Sequence, residues 1–524
     1  MAKQKITYTT LSADNEELHI EFEKAVERLM ANLGKTYPQY IGTEKREGRP
    51  TFESRSPIDT NIVLGHFQRG TREDAQDAIA AARANYPAWS SKPWEERCEI
   101  LSNVANLISE RVYDLAAAMV MEMGKSRIEA LGEVEESADL IRWNVQQMRE
   151  NNGYVKKLGS FDPAKDENYS VLRPYGVWAV ISPFNFPMAL AVNPAAAALL
   201  MGNTVVWKYS SDTPLVGVLV TQLFLDAGVP AGVLNYVTGG GGSVGAELIE
   251  NPGVDGITFT GSYDVGYNMV YKKFAKEYPK PVIVEMGGKN PAIVMPSADL
   301  DVAAMGTVRA AFGMNGQKCS ACSRVYVHED IKDAFVEKLL ETTRRVVVVA
   351  DPRDRKAFMG PVVNSHALED YKRYVAKAKA DGTILYGGNV LTGGAFANGY
   401  YVEPTIFTDV PEDHELVKNE LFLPILYVGT FKTLEEALAK ANDTVYGLTA
   451  GFFSKKEDEI QYFYDNIEAG VVYVNRAAGA TTGAWPGIQA FGGWKSSGST
   501  GKAIGSFYTV PQYGREQSRT RILD

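Results

Sequence analysis

A thiol beside a lysine stands in the run GQKCSACSR at residues 316–324, where Cys319 follows Lys318 shortly after a glycine. Thiolates attack carbonyl carbon readily, and a neighbouring cation or a helix N-terminus lowers the pKa of a thiol toward neutrality. An intracellular cysteine is, however, more often a small buried hydrophobe than a nucleophile. The run therefore predicts either an activated nucleophile or a packed thiol, and the other polar residues of the chain must decide between them.

Two polar side chains stand where predicted strands end. Asn185 follows the apolar run 177–181 within the segment SPFNFP, and Lys208 closes the run 204–207. In open α/β sheets, ligands gather at the carboxyl ends of the strands. The amide of Asn185 can therefore donate to an oxyanion, and the ammonium of Lys208 can reach ribose or phosphate oxygens. A turn asparagine and a solvated lysine are the alternatives for each residue taken alone.

Two glycine-containing segments add an anion site and a base. The segment FTGSYDVG at 259–266 runs from a strand into a helix, and a helix N-terminus opened by glycine favours anions such as a pyrophosphate. The segment VEMGGK at 284–289 leaves Glu285 at the end of an apolar strand. A partly buried carboxylate has a raised pKa there and can act as a general base. The glycines at 239–242 lack the Lys-Ser/Thr ending of a P-loop.

Length and composition favour a multidomain enzyme that acts on a small molecule. The 524 residues predict two to four domains. A net charge of −10 with both signs interspersed argues against nucleic acid or an anionic membrane as partner. The low number of cysteines, three, indicates a reducing compartment. The histidines do not show the paired spacing typical of metal ligands, so we expect no metal. No apolar signal-peptide core follows Met1, so we expect a cytoplasmic protein.

Hydrophobic periodicity predicts the elements that position these residues. Steps of three and four predict an amphipathic helix over 15–33, ended by Gly34, and further helices over 73–85 and 94–123. A second alternating α/β region covers 288–475. Five short β-rich runs alternate with helical stretches and predict a parallel sheet of the nucleotide-binding kind: 177–181, 204–207, 233–237, 257–260 and 282–284.

The order and spacing of six motifs resemble the aldehyde dehydrogenase superfamily. They are FNFP at 184–187, FTGS at 259–262, EMGGK at 285–289, QKC at 317–319, ELF at 420–422 and FGG at 491–493. The 34 residues that separate Glu285 from Cys319 are typical of that family. Within it, the chain is most similar to the 1-pyrroline-5-carboxylate dehydrogenase group, which oxidises L-glutamate γ-semialdehyde. This similarity lies in the run GQKCSACSR, in YPQYIG at 37–42 and in TGA at 482–484.

The resemblance implies an α/β fold of the aldehyde dehydrogenase type, with a Rossmann-type cofactor domain, an α/β catalytic domain and a small oligomerisation hairpin. The tail 511–521 resembles the segment that pairs with this hairpin across a subunit interface, so a homo-oligomer, a dimer or larger, is implied. The implied boundaries are an N-terminal helical extension at 1–35, a cofactor domain at 36–151 and 171–287, a catalytic domain at 288–504, and oligomerisation elements at 152–170 and 505–524.

Carried onto this sequence, the resemblance implies a covalent mechanism. Cys319 attacks the aldehyde while the side-chain amide of Asn185 and the N–H of Cys319 hold the oxyanion. Hydride transfer to a nicotinamide leaves a thioester on the cysteine. Glu285 then activates the water that hydrolyses this thioester, and the product is a carboxylate.

The implied cofactor is NAD, with NADP also tolerated. Lys208 and Glu420 are implied to bind the adenosine and nicotinamide riboses, Ser262 to bind the pyrophosphate and Phe422 to pack near the nicotinamide ribose. Members restricted to NAD often hold a glutamate at position 211, and Ser211 neither repels nor pairs with a 2′-phosphate. The further implied cofactor contacts are Ser182, Pro183, Phe184 and Gly261.

The implied substrate site favours an aldehyde with a distal carboxylate. Ser320 and the N–H groups of Gly483 and Ala484 match the positions that hold the α-carboxylate in the pyrroline-carboxylate group, and Phe186 is implied to line the site. The stretch 477–481 is longer than in that group, which predicts a reshaped anchor loop.

Further departures put the substrate in question: Ala490 replaces the proline usual before FGG, and Leu423 replaces the glycine usual after ELF. The altered loop 477–481 and Trp485 favour an apolar substrate. A general aliphatic or aromatic aldehyde dehydrogenase is therefore the alternative. A CoA-acylating enzyme is disfavoured by Glu285, and a binding protein without activity is disfavoured by the joint presence of all the catalytic residues. We expect Cys322 to be a packed thiol with no role.

Overall fold

Two seven-stranded sheets carry the residues picked out above. The computed structural model describes residues 15–523. Residues 1–14 of the predicted N-terminal extension, and Asp524 at the end of the predicted element 505–524, lie outside the described residues. Each sheet falls inside one of the two predicted domains, and the domain boundaries themselves stay predictions.

The first part of the chain is mostly helical, as predicted, but short strands interrupt it. Helix α1 (Glu16–Met30) begins at Asn15, whose side chain accepts a hydrogen bond from the Leu18 N–H, and it ends before Gly34. The strands that follow have three to six residues, too few to show a clear period of two. They are β1 (Lys35–Tyr37), β2 (Gln39–Ile41), β3 (Glu44–Arg46), β4 (Thr51–Arg55) and β5 (Val63–Gln68).

Four helices and a hairpin follow. The helix predicted over 73–85 continues through Pro87, and the one predicted over 94–123 divides at Arg111. Gly124 ends the second half in the left-handed conformation that favours glycine (φ 75°). The elements are α2 (Arg72–Ser91), α3 (Trp94–Glu110), α4 (Val112–Met123), α5 (Arg127–Glu150), β6 (Val155–Lys157) and β7 (Asp166–Pro174).

The first sheet confirms the predicted parallel sheet. Its elements are β8 (Val177–Ile181), α6 (Ala189–Met201), β9 (Thr204–Lys208), α7 (Pro214–Asp226), β10 (Leu234–Tyr236), α8 (Ala246–Glu250), β11 (Gly256–Thr260) and β12 (Val282–Glu285). The strand order is β12-β11-β8-β9-β10-β2-β3, with the five strands from β8 to β12 parallel and the short β2 and β3 antiparallel at one edge. Lys208 and Glu285 end their strands at the same edge of the sheet, as predicted.

The second sheet has the order β15-β18-β19-β14-β13-β21-β22 and is parallel except for β15. Its region contains β13 (Asn290–Val294), α9 (Leu300–Phe312), β14 (Cys322–His328), α10 (Lys332–Val346), α11 (Ser365–Asp381), β15 (Thr383–Tyr386), β16 (Val390–Leu391), β17 (Tyr401–Val402), β18 (Thr405–Thr408), α12 (Glu415–Lys418), β19 (Ile425–Phe431), α13 (Leu434–Asn442), β20 (Tyr446–Gly447), β21 (Thr449–Phe453), α14 (Glu457–Asn466), β22 (Val471–Val474) and β23 (Trp494–Lys495). The turn that carries Cys319 lies between α9 and β14.

The chain ends in β24 (Gly514–Ile522), which pairs antiparallel with β7, and β6 completes this three-stranded sheet. The register runs from Gly514 opposite Pro174 to Ile522 opposite Asp166. The tail therefore pairs with the hairpin of its own chain, and the expectation that it pairs across a subunit interface is wrong. The carbonyl of Tyr513 accepts a hydrogen bond from Asn203 Nδ2 (2.9 Å), which directs the tail back to its own hairpin.

Residues 15–523 contain no helix that combines the length and the apolarity needed to cross a membrane. The very apolar α6 has 13 residues, whereas a transmembrane helix needs about 20. In the same described part of the chain, no group of three or more His, Cys, Asp or Glu side chains is placed to hold a metal ion.

Candidate active site

The turn that carries Cys319 is built from unusual backbone and held from β13. Residues 314–316 all have positive φ (50°, 61° and 65°), and two of them are not glycine, a conformation that costs about 1 kcal/mol or more per residue. Asn290 compensates, because its Nδ2 donates to the carbonyls of Cys319 (2.8 Å) and Ala321 (2.9 Å). Asn290 Oδ1 in turn accepts from the Thr449 N–H (3.0 Å). One buried amide thus ties the turn to two strands.

Two further side chains hold the other flank of this turn. Asn315 Nδ2 donates to the Pro361 carbonyl (2.6 Å), and Gln317 Oε1 accepts from the Val363 N–H (3.1 Å). Asn315 and Gln317 are both buried. The backbone before the nucleophile therefore has little freedom to move.

The electrostatics of the thiol differ from the expectation. Burial raises the pKa of Cys319 well above its usual range, and the charges of Glu285 and Glu420 raise it further. Lys318, which was expected to stabilise the thiolate, forms an ion pair with Glu129 instead. The prediction of a thiol activated by its neighbouring lysine is therefore wrong. In the free protein the thiol is neutral, and it needs a base to become a nucleophile.

Glu285 has the properties of a general base. It ends β12 and is 9% exposed, and burial raises its pKa to about 8. Its Oε1 is buried and has no hydrogen-bond partner within residues 15–523. A carboxyl with a raised pKa, no ion pair and one oxygen without a hydrogen bond exchanges a proton near neutral pH, as a general base requires.

Glu420 is held more tightly than Glu285. Its Oε1 accepts from the Gly288 N–H (2.9 Å), and burial raises its pKa to about 7. A Cβ atom on Gly287 would overlap the Glu420 carboxylate. Gly287 and Gly288 therefore let this second carboxylate, which comes from the loop between α12 and β19, approach the backbone.

A buried network positions Asn185. Its carbonyl accepts from Lys125 Nζ (2.9 Å), and the same ammonium pairs with Glu133 and lies 4.1 Å from the ring centroid of Phe186. Glu133 Oε1 accepts from the Met188 N–H (2.8 Å) beside the first turn of α6. Sequence reasoning missed this network, because Lys125 lies just beyond the helix predicted over 94–123 and belongs to none of the motifs.

Polar groups with unused hydrogen-bonding capacity gather at the ends of β8 and β9. Lys208 is 7% exposed, its Nζ donates to the Tyr209 carbonyl (3.2 Å), and burial lowers its pKa to about 8 against the opposing charge of Asp212. Ser182 Oγ is buried without a partner in the described residues. Ser211 is exposed. Such groups suit the hydroxyls and phosphates of a dinucleotide.

Residues at the end of β11 add to these candidate cofactor contacts. The Gly261 N–H donates to the Glu285 carbonyl (3.1 Å), and a Cβ atom on Gly261 would lie 2.7 Å from the ring of Phe259. Ser262 is exposed, and its Oγ accepts from the Val265 N–H (3.4 Å) at the start of the next helix. The backbone at Gly261 can thus approach a phosphate closely.

Two aromatic rings from opposite sheets meet across the cleft. Phe184, next to Pro183, packs edge to face against Phe422 with centroids 5.8 Å apart. Phe422 itself has a positive φ of 57°. With the unpaired polar groups and the glycines, these rings fit a nicotinamide dinucleotide.

The loop 476–485, here called the anchor loop, is hydrogen-bonded to the turn that carries Cys319, here called the nucleophile turn. Thr481 Oγ1 donates to the Ser320 carbonyl (2.7 Å), so the lengthened stretch 477–481 does not separate the two segments. Gly483 has a φ of 111°, and a Cβ atom there would overlap the Arg476 guanidinium. The structure therefore joins the segment of Gly483 and Ala484 to Ser320 through Thr481, and it adds a cation, Arg476, that the motifs did not reveal.

Cys322 is a packed thiol, as predicted. It is buried, its Sγ donates to the Arg324 carbonyl (3.4 Å), and burial raises its pKa to about 12. Cys98 is buried as well, and burial raises its pKa to about 11. Of the three cysteines, Cys319 is the one that is partly exposed, and it lies beside two carboxylates.

Known proteins match both the sequence and the fold. A 1-pyrroline-5-carboxylate dehydrogenase of Geobacillus sp. (strain WCH70) is 36% identical over 494 residues, which cover 93% of this chain and 94% of that protein. A solved 1-pyrroline-5-carboxylate dehydrogenase superposes with a TM-score of 0.93 at 33% identity, covering 99% of both chains. The Thermus enzyme of that name, solved with bound NAD, gives 0.92 at 33% identity and covers 97% of both chains. Because the model of the aldehyde dehydrogenase family also matches residues 43–515, this chain belongs to the aldehyde dehydrogenase family.

Proposed function

We propose that the protein oxidises L-glutamate γ-semialdehyde to L-glutamate with NAD, through a thiohemiacetal and a thioester on Cys319. The observation that carries this proposal is the docking of the anchor loop on the nucleophile turn by the bond from Thr481 to the Ser320 carbonyl (2.7 Å). The relatives that match nearly the whole chain carry the name of the enzyme for this substrate.

The anchor loop suits a carboxylate at the far end of the aldehyde. The Ser320 hydroxyl and the N–H groups of Gly483 and Ala484 supply neutral donors, and Arg476 supplies a positive charge against Gly483. Hydrogen bonds to a charged group contribute about 1.5–3 kcal/mol each. An apolar aldehyde leaves these donors unpaired, so the site discriminates against it.

Glu129 suits the ammonium of an amino-acid substrate. One of its oxygens pairs with Lys318, the residue before the nucleophile. The other oxygen, Oε2, is buried and has no hydrogen-bond partner in the described part of the chain. A carboxylate with a free buried oxygen beside the catalytic turn is the acceptor that an ammonium needs.

The chain supplies the covalent steps of the reaction. The Cys319 sulfur attacks the aldehyde carbon once the thiol proton has left, and the Asn185 side-chain amide and the Cys319 N–H donate to the oxygen that becomes negative. Lys125 holds the Asn185 backbone in place for this task. Glu285 then takes a proton from water, and the resulting hydroxide displaces the thiolate from the thioester.

Bound NAD supplies the acceptor for the hydride that leaves the thiohemiacetal carbon. Lys208 and Glu420 would hold its two riboses, Ser262 and Gly261 its pyrophosphate, and Phe422 would pack beside the nicotinamide ribose. Since position 211 holds a serine, a 2′-phosphate meets no carboxylate at that position and NADP is tolerated. The Thermus relative was solved with NAD.

Comparing substrates tests the proposal. The kcat/KM for glutamate γ-semialdehyde should exceed that for hexanal and for benzaldehyde by about a hundredfold or more, because only the first satisfies the anchor loop. A preference for the apolar aldehydes would reject the proposal in favour of a general aldehyde dehydrogenase. Trp485 offers such substrates little surface, since it is 9% exposed and its Nε1 donates to Asp139 (3.0 Å).

We also infer that the protein forms a homo-oligomer through the hairpin region. Phe161 is fully exposed between β6 and β7, Leu158 is exposed beside it, and Ile522 is exposed on β24. Apolar side chains on the edge of a small sheet favour burial against a second copy. Light scattering on the purified protein measures the subunit number, and a monomer at micromolar concentration would reject the inference.

A cytoplasmic location is likewise our proposal. All three cysteines are unpaired thiols in the structure. Free thiols persist in a reducing compartment, and the covalent mechanism needs Cys319 in its reduced form. Fractionation of the source cells measures the location directly, and recovery in an oxidising compartment would reject it.

A further inference from the structure

A cavity of about 40 Å³, enough for a few water molecules, lies beside Glu285, away from the anchor loop. Its walls come from the first turn of α6, the ends of β11 and β12, and the glycine-rich passage 492–504. At the inner end Thr258, Glu285 and Tyr513 are buried, whereas Thr500 to Lys502 at the other end are exposed. The cavity therefore connects the base of the proposed mechanism with solvent.

The inner end of the cavity is polar. Thr258 Oγ1 accepts from Trp178 Nε1 (2.9 Å) and lies 3.2 Å from the Tyr513 hydroxyl. The pKa of Tyr513 is raised by burial and also by the charge of Glu285, and the same charge raises the pKa of Cys319. The Glu285 carboxyl is thus within electrostatic range both of the thiol and of Tyr513 in the cavity wall.

The proposed hydrolysis of the thioester creates a need for such a connection. While the acyl group sits on Cys319, the substrate and the dinucleotide fill the cleft on the thiol side. Glu285 must nevertheless release, in every turnover, the proton that it takes from water. Its buried Oε1 has no partner within residues 15–523, so no side chain described there accepts that proton directly.

We infer that this cavity is the aqueous route by which Glu285 returns its proton to solvent; the inference rests on the proposed thioester hydrolysis. One O–H bond of the attacking water breaks and its proton goes to the Glu285 carboxylate, while the oxygen bonds to the carbonyl carbon. The C–S bond then breaks and Cys319 leaves as the thiolate. The Glu285 proton passes to solvent in the cavity and leaves near Thr500, which restores the carboxylate.

Filling the cavity tests this route. Leu190 and Ile504 line it from opposite walls, and both are apolar and partly exposed. Leu190→Trp and Ile504→Phe add bulk from two sides, and Leu190→Met is the matched control of similar volume. Stopped-flow absorbance of NADH separates the first turnover, which reports hydride transfer, from the steady state, which includes hydrolysis.

We expect both filling variants to keep a burst of about one NADH per subunit at the wild-type rate, while kcat falls about tenfold and its solvent isotope effect increases. Leu190→Met should match the wild type in all three quantities. Unchanged kcat in both filled variants that retain the wild-type melting temperature would overturn the inference, and so would a burst that slows in step with kcat. The assay uses whichever aldehyde the wild type oxidises, so failure with glutamate semialdehyde alone rejects the substrate and leaves the route testable.

Discussion

The nucleophile turn and the anchor loop meet at one site but are held in different ways. Buried side chains of Asn290, Asn315 and Gln317 tie the turn to three other segments of the chain. Within the described residues, one side-chain hydrogen bond, from the hydroxyl of Thr481, joins the anchor loop to the turn. The position of the Cys319 thiol is thus fixed by several hydrogen bonds, whereas the choice of substrate depends on few. Substrate preference can therefore change while the reaction at Cys319 is kept.

Removing the nucleophile should give the largest effect. Cys319→Ala should lower NADH formation by at least about 10⁴-fold, because the covalent route is lost for every aldehyde. Isothermal titration with NAD should give a Kd within threefold of the wild type, since the cofactor cleft is built by other residues. Residual turnover above a hundredth of the wild-type rate would contradict the assignment of Cys319.

Removing the base should separate two stages of the reaction. Glu285→Gln should lower kcat by about 10²–10³-fold and keep the NADH burst, because only hydrolysis loses its base. In the wild type, burial raises the pKa of Glu285 to about 8, so the active carboxylate form increases as pH rises and kcat should climb through that value.

Steady-state rates between pH 6 and 9 check the sign of this dependence. At pH 6 the carboxylate fraction is about one in a hundred of its plateau, which sets the expected decline in kcat. Glu285→Gln should show no such rise with pH. A wild-type kcat that falls between pH 6 and 9 would contradict the role of Glu285.

Removing the hydrogen bonds that hold the nucleophile turn tests whether these contacts position the thiol. Asn290→Ala removes two donors and one acceptor, so we expect kcat to fall by about a hundredfold with every aldehyde and the free energy of unfolding to fall by about 2–3 kcal/mol. Asn290→Asp is the matched control, because it keeps the acceptor for the Thr449 N–H and loses the donors. Equal kcat in Asn290→Ala and the wild type would show that the turn holds itself.

Disturbing the anchor loop tests the other side and should have the smallest effect. Arg476→Ala should raise the KM for glutamate γ-semialdehyde about tenfold, because it removes the positive charge for the carboxylate and the hydrogen bond to the Thr482 carbonyl (3.2 Å) within the loop, and it should leave kcat with hexanal within twofold. Arg476→Lys keeps the charge and should recover part of the affinity. An equal loss of activity with hexanal would mean that the anchor loop also supports the reaction at Cys319.

Much of the fold followed from local patterns. The strands of the first sheet were predictable because runs such as 204–207 are short, apolar and bounded by turn residues, and Lys208 and Glu285 fall at their ends. The strands between 35 and 68 were missed, since three residues carry no usable period. The spacing of the motifs indicated the thiol, the base and the oxyanion amide, because each stands at the end of a strand or in a turn that the sequence marks.

The sequence by itself determined the family, the strand ends of the first parallel sheet and the candidate residues for the chemistry. Only the tertiary structure decided their partners. Lys318 pairs with Glu129 rather than with the thiol, Arg476 stands against Gly483, and the tail returns to its own hairpin. Periodicity and turn chemistry act over a few residues, whereas these contacts join residues that are far apart in the chain or depend on how a loop folds back. Such contacts depend on how the whole chain packs, which local sequence does not encode.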